Sequence, residues 1–132
     1  MRLTYAEFAD EVELADLEVR REFAGVEHVQ VIARSIDATG WGVLSSRLPP
    51  WGEFYPPHGP IVLWQLAYEY MPDAQNYRKQ IREVLRHEYR HAIGRDDHEV
   101  RLLDRKGATT PPEWVEDSPL VVVRDGIRVT LA

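Results

Sequence analysis

The chain has 132 residues, one domain's worth, and is 44% hydrophobic with four Trp, six Tyr and three Phe, enough apolar content to bury a core and exclude wholesale disorder. Sixteen Lys and Arg against 22 Asp and Glu leave a net charge of −6, a poor match for a nucleic-acid binder, whose affinity comes largely from neutralising phosphates. There is no cysteine, so disulfides, thiolate zinc sites, iron–sulfur clusters and thiol nucleophiles drop out together, and any metal must be held by His, Asp or Glu.

Thr4 followed three residues later by Glu7 is a capping-box pattern, and Tyr5, Phe8, Ala9, Val12, Ala15 and Val19 then recur at helical spacing, predicting a first helix over residues 5 to 23 with Gly25 placed to end it. Asp16 interrupts that apolar stripe, while Leu14 and Leu17 fall off it. Val29, Val31, Ile32 and Ala33, bounded by Asp37 and Gly40, read as a buried strand. Residues 40 to 60 hold four Gly, five Pro, two Trp and a Phe-Tyr pair, a composition suited to an irregular aromatic loop that either lines a cleft or covers the core. Ile61 to Trp64 reads as a short strand, and Pro72 with Asp73 marks a boundary, Asp73 being a suitable N-cap.

The next element is the most regular. Tyr77, Ile81, Val84, Leu85, Glu88 and Ala92 fall within about a 100° arc of one helical face, and Gly94 stands where such a helix would stop. After a Pro111-Pro112 loop, Leu120 to Val123 and Ile127 to Leu131 flank Asp125-Gly126, a type I′ turn signal, so a C-terminal β-hairpin is expected. No stretch approaches the roughly 18 apolar residues that span a bilayer. The first 16 residues alternate acids with apolar residues where a signal peptide would show a basic start and an apolar run, which predicts a cytoplasmic address without membrane attachment.

Within the regular helix stands His87-Glu88-Tyr89-Arg90-His91, the His-Glu-x-x-His pattern. Residues four apart sit one turn apart on one face, so both imidazoles can converge on one ion about 2 Å from each ring nitrogen. Glu88 would be held beside that ion, able to take a proton from a water whose pKa the metal lowers and to pass it to a leaving amine. It also projects from the middle of the apolar arc, where an ionised carboxylate is costly unless a cation or its water compensates it. Gly94 follows His91 by three residues, Asp97 follows Gly94 by three, and His98 comes next. A glycine past the helix end would permit a φ > 0 turn bringing a third ligand to the open side of the ion. The plainer alternative is that the two histidines are a solvated flank of the apolar face.

The run His87-Glu88-x-x-His91-x-x-Gly94-x-x-Asp97 resembles the extended motif of the metzincin-like minimal zincins, small bacterial metallopeptidases in which Asp stands where typical metzincins place a third His. The resemblance covers about residues 4 to 100. It implies a small α+β, zincin-like fold with a few-stranded mixed sheet and two main helices; residues 101 to 132 lie outside it, and the length of the chain predicts a single domain over residues 1–132. The resemblance also implies zinc on His87, His91 and Asp97, Glu88 as general base, and Ile61 to Trp64 as the edge strand above the cleft, able to pair with an extended peptide. No Met follows the motif, so the Met-turn of larger metzincins is absent, as it is from the minimal members.

These features predict a zinc metallopeptidase acting on a peptide or protein substrate. His98, Tyr55 and Tyr68 are candidates to stabilise an oxyanion, and the spacing does not choose among them. Three alternatives stand beside it. A gluzincin-type regulatory protease would draw its third ligand from Glu113 or Glu116, leaving Gly94 and Asp97 as coincidence. An iron oxygenase also uses two His and one carboxylate, but has no need of a glutamate beside the first ligand. A non-catalytic binding module would use the metal only to pin residues 94 to 98 to the helix, with His98 as a fourth ligand closing the site. The charge layout, six acids and no base over residues 7 to 18 against nine bases and six acids over residues 78 to 106, predicts two oppositely charged faces packed near each other.

Overall fold

The computed structural model describes residues 3–35, 51–69, 71, 73–94, 96–110, 120–124 and 127–131. Within them the chain is a small α+β domain. Helix α1 (Tyr5–Arg20) opens with the expected capping box: the Thr4 hydroxyl accepts from the Glu7 amide at 3.1 Å, and the Thr4 amide donates to the Glu7 carboxylate at 3.3 Å. It buries Phe8, Val12, Ala15 and Val19 and leaves Leu14 and Leu17 exposed. Asp16 sits in the stripe because it has partners there, accepting from the Tyr89 hydroxyl and from Arg20, the latter at 3.0 Å. The helix ends at Arg20, short of the predicted 23. Arg20 turns back to Asp16 and donates to the carbonyls of Val26 and Val29, so the following residues pack as loop, with Gly25 at φ 78°.

Strand β1 (Val31–Arg34), β2 (Gly52–Phe54) and β3 (Ile61–Trp64) form a mixed sheet in the order β1-β3-β2, with β1 parallel and β2 antiparallel to β3. This corrects two expectations. Residues 52 to 54 belong to a strand, although they lie in the stretch predicted to be irregular. In consequence β3 is the central strand rather than the edge: its unbroken Ile-Val-Leu run is buried, the pattern of a strand covered on both faces. The edge near the motif helix is β2.

A short helix α2 (Gln65–Tyr68) leads to α3 (Ala74–Ile93), the predicted motif helix, capped by Asp73 accepting from the Asn76 amide at 2.8 Å. Helix α4 (Asp97–Lys106) follows, capped by Asp96 and closed by Gly107 at φ 63°. The core lies between the sheet and helices α1 and α3, around Phe8, Val19, Leu63, Tyr68, Ile81, Leu85 and Tyr89. The two charged faces meet as expected: Arg78 pairs with Glu11 at 3.0 Å, Arg82 with Glu18 at 2.6 Å and Arg86 with Glu22 at 3.0 Å. Partners rise together in number, so α1 and α3 run side by side in the same sense. These surface pairs contribute only about 0–1 kcal/mol each and act mainly to hold register.

Strands β4 (Leu120–Arg124) and β5 (Ile127–Leu131) pair antiparallel with each other. The predicted turn at Asp125-Gly126 lies outside the described residues, as does the Pro111-Pro112 loop. Among the described residues no helix is long and apolar enough to cross a membrane.

Gly52 brings β2 against α3. A Cβ there would stand 2.6 Å from Cγ1 of Val84 and 3.4 Å from Cγ of Glu88, so any larger residue must push the strand off the helix. Gly52→Ala is therefore expected to lower stability by about 1–3 kcal/mol, read as a lower urea midpoint. An unchanged midpoint would mean that β2 does not press on α3.

Candidate metal centre

Helix α3 buries Tyr77, Ile81, Val84, Leu85, Glu88 and Tyr89, and this face sets the direction of the motif side chains. Glu88 points inward and is 5% exposed, while His87 and His91 are half-buried on its flank. The two imidazoles converge. Their Nε2 atoms are 3.1 Å apart, with the rings nearly perpendicular at 88°. Two nitrogens on one tetrahedral zinc, each about 2.0–2.1 Å from it, stand about 3.3 Å apart, so the pair already has close to the separation one ion requires. His87, Glu88 and His91 each offer a donor atom within 4.8 Å of the others, a group able to hold a metal ion.

The electrostatics suit that use. Burial pushes the His91 pKa down, and the neighbouring His87 adds to the shift against the opposing charges of Asp97 and Asp104. His91 therefore favours the neutral imidazole, the form that binds metals. Glu88 is pushed up to about 7, chiefly by burial, with Glu53 and Asp104 adding and His87 and the Phe54 backbone amide opposing. A carboxyl group with a pKa near neutrality can both take and return a proton.

His87 is oriented by a residue the motif does not contain. Its Nδ1 lies 2.7 Å from Oδ2 of Asp104, while Oδ1 of Asp104 accepts from Arg90 at 3.2 Å, and Arg90 donates to the Ala108 carbonyl at 3.0 Å. With Nδ1–H donated to a carboxylate, Nε2 is left as the lone-pair nitrogen facing His91, the arrangement by which metal-binding histidines are commonly fixed. Asp104 is reached through α4, whose capping signal, Asp96 accepting from the Glu99 amide at 2.9 Å, stands in the sequence as Asp-x-x-Glu.

The expected turn after the motif does not form. Gly94 is extended, at φ −90° and ψ 158°, and not in the left-handed region. It is small for another reason: a Cβ there would lie 3.0 Å from the Arg90 carbonyl and 3.1 Å from Cγ2 of Val100, so the glycine lets α4 pack closely on the end of α3. Asp97 is the exposed first residue of α4. It lines a cavity together with His91 and its charge acts on His91, but it lies outside the group formed by His87, Glu88 and His91.

Of the other candidates, His98 is exposed in the first turn of α4 and Tyr55 is exposed beyond β2. Tyr68 is fully buried and donates its hydroxyl to the Trp51 carbonyl at 2.8 Å, so it anchors the approach to β2. Glu113 and Glu116 lie outside the described residues. No family model, no curated protein and no solved structure matches this chain, so the functional reading stands on the site itself.

Proposed function

We propose that this chain is a zinc-dependent metallopeptidase of the minimal-zincin kind, with His87, His91 and Asp97 holding the ion and Glu88 handling the proton. The observation that carries the reading is the pair of facing Nε2 atoms, 3.1 Å apart, beside a buried glutamate whose pKa is pushed up to about 7. Zinc, when bound, polarises a carbonyl and acidifies water. Glu88 would accept the proton released at the attacking water and return it to the leaving amine, a role for which its raised pKa and fixed, buried position suit it. Asp104 would hold His87 in the ligating tautomer. Support for Asp97 is its place on the cavity next to His91 and the motif spacing. Edge strand β2, with the Phe54 amide turned to Glu88, forms the wall a substrate would meet.

A structural zinc site is usually closed by four protein ligands, whereas here, apart from Glu88, only His87 and His91 cluster among the described residues, and the His87 side chain is 46% exposed. That favours catalysis over a purely stabilising role. The deciding experiment is cleavage of reduced, unfolded proteins by the zinc-loaded chain, with Glu88→Gln as control. Cleavage is expected from the native chain and a loss of at least about 100-fold in the variant. Equal activity in the two would remove Glu88 from the mechanism, and no cleavage by either would favour the binding-module reading.

A further inference from the structure

Two cavities flank the His87–Glu88–His91 group along the seam between β2 and helices α3 and α4. One, of about 390 Å³, is bounded by Trp51, Gly52, Gln80, Glu83, Val84, His87 and Glu88. The other, of about 510 Å³, is bounded by Phe54, Pro56, His91, Asp97 and Val100 among others. Gly52 and Phe54 are two residues apart on one strand, so the seam passes from the first cavity across the ligating group into the second. Room on both sides is what a chain passing through requires, whereas a site that trims chain ends needs a wall on one side.

The first cavity carries a fixed aromatic surface. Trp51 is 40% exposed, yet it is held at two points: its ring meets the buried Tyr68 ring edge-on at 4.9 Å and 78°, and its carbonyl accepts the Tyr68 hydroxyl at 2.8 Å. Single exposed aromatics are ordinary. Trp51 differs in packing on a buried ring while lining a cavity together with Val84, His87 and Glu88. Gly52 contributes no side chain and Val84 an aliphatic one beside the Trp51 ring, so the lining is more apolar than polar, with Gln80 and the exposed Glu83 as its polar members besides His87 and Glu88. A rigid aromatic wall orders without entropic loss when an apolar group lands on it.

We infer that the Trp51 cavity is the subsite for a large apolar side chain of an extended peptide, which continues past Glu88 into the Phe54–Asp97 cavity, so that the bond cut is internal and lies beside a Leu, Met, Phe or Trp. This rests on the peptidase reading, and two experiments separate the inference from it. In the first, cut sites made by the zinc-loaded native chain on unfolded proteins are mapped by mass spectrometry. A bulky apolar residue is expected at one constant position beside the cut, within internal segments. In Trp51→Ala that preference should fall about tenfold, and Trp51→Phe should restore most of it. Cuts without apolar enrichment, release of single terminal residues, or a preference unchanged in Trp51→Ala would overturn the inference while leaving the peptidase reading intact.

The second experiment needs no turnover. Zinc-loaded Glu88→Gln is titrated with labelled hexapeptides that differ by Phe against Ser at one position, binding being read by fluorescence anisotropy. About tenfold tighter binding of a Phe peptide, lost in the Trp51→Ala, Glu88→Gln double variant, supports the subsite even if no cleavage is ever seen. Equal binding of the Phe and Ser peptides at every position overturns it.

Discussion

Metal-free Glu88→Gln is expected to be about 3 kcal/mol more stable than the native chain at pH 8. Burial raises the Glu88 pKa from its ordinary 4.5 to about 7, so the fold prefers the neutral acid and must hold a costly carboxylate once the pH passes that value. Its contribution to stability is fully present below about pH 4.5 and is lost as pH rises through about 7, because over that interval the folded chain binds more protons than the unfolded one. Glutamine is neutral throughout and of the same shape, and it keeps an oxygen for the Phe54 amide. Urea denaturation of chelator-treated protein should show the gap at pH 8 shrinking below about 1 kcal/mol at pH 5. A variant less stable than the native chain at pH 8 would mean that Glu88 is compensated within the metal-free fold. A residue that destabilises the fold where it sits, in a helix otherwise well packed, is what a site held ready for a cation would contain.

Asp104→Asn is expected to weaken zinc binding by about 10- to 100-fold, measured by competition against a chromophoric chelator. The carboxylate receives the His87 Nδ1 proton at 2.7 Å and is itself held by Arg90, so it sets the ring's tautomer and angle. The isosteric amide preserves volume but removes the charge, and the ring loses its fixed orientation. His98→Ala should leave the affinity unchanged, since His98, unlike Asp97, does not line the cavity beside His91. The opposite ranking would transfer the supporting role from Asp104 to His98.

The elements whose signals are local were readable from the residues alone. Thr4 and Glu7 announce α1, the arc from Tyr77 to Ala92 announces α3, and the Ile-Val-Leu run announces β3. Strand β2 was not, because three residues beginning with glycine among prolines carry no strand pattern, and what makes them a strand is pairing with β3 and close approach to Val84. The edge position of Ile61 to Trp64 was implied by the zincin resemblance, and the pairing of β2 on its far side makes that strand central instead. Helix α4 was hidden by reading residues 94 to 98 through the zincin motif. It spans only ten residues, too few for its apolar positions Val100, Leu102 and Leu103 to set it apart, although the Asp96–Glu99 capping pair stands in the sequence. The facing imidazoles follow directly from the spacing of His87 and His91. Asp104 does not, since its contact with His87 spans 17 residues and depends on how α4 packs over Gly94. Gly94 itself shows that one residue type can serve two ends: expected for a left-handed turn, it is extended, and its small size is used for packing.

The most direct measurement is anomalous diffraction at the zinc absorption edge from crystals grown with zinc. One peak is expected about 2 Å from Nε2 of both His87 and His91, with an Asp97 oxygen as the third protein ligand and Glu88 close by but not bonded. Two imidazoles pointing apart, or a zinc peak anywhere that excludes either of them, would contradict the metal centre and with it the peptidase.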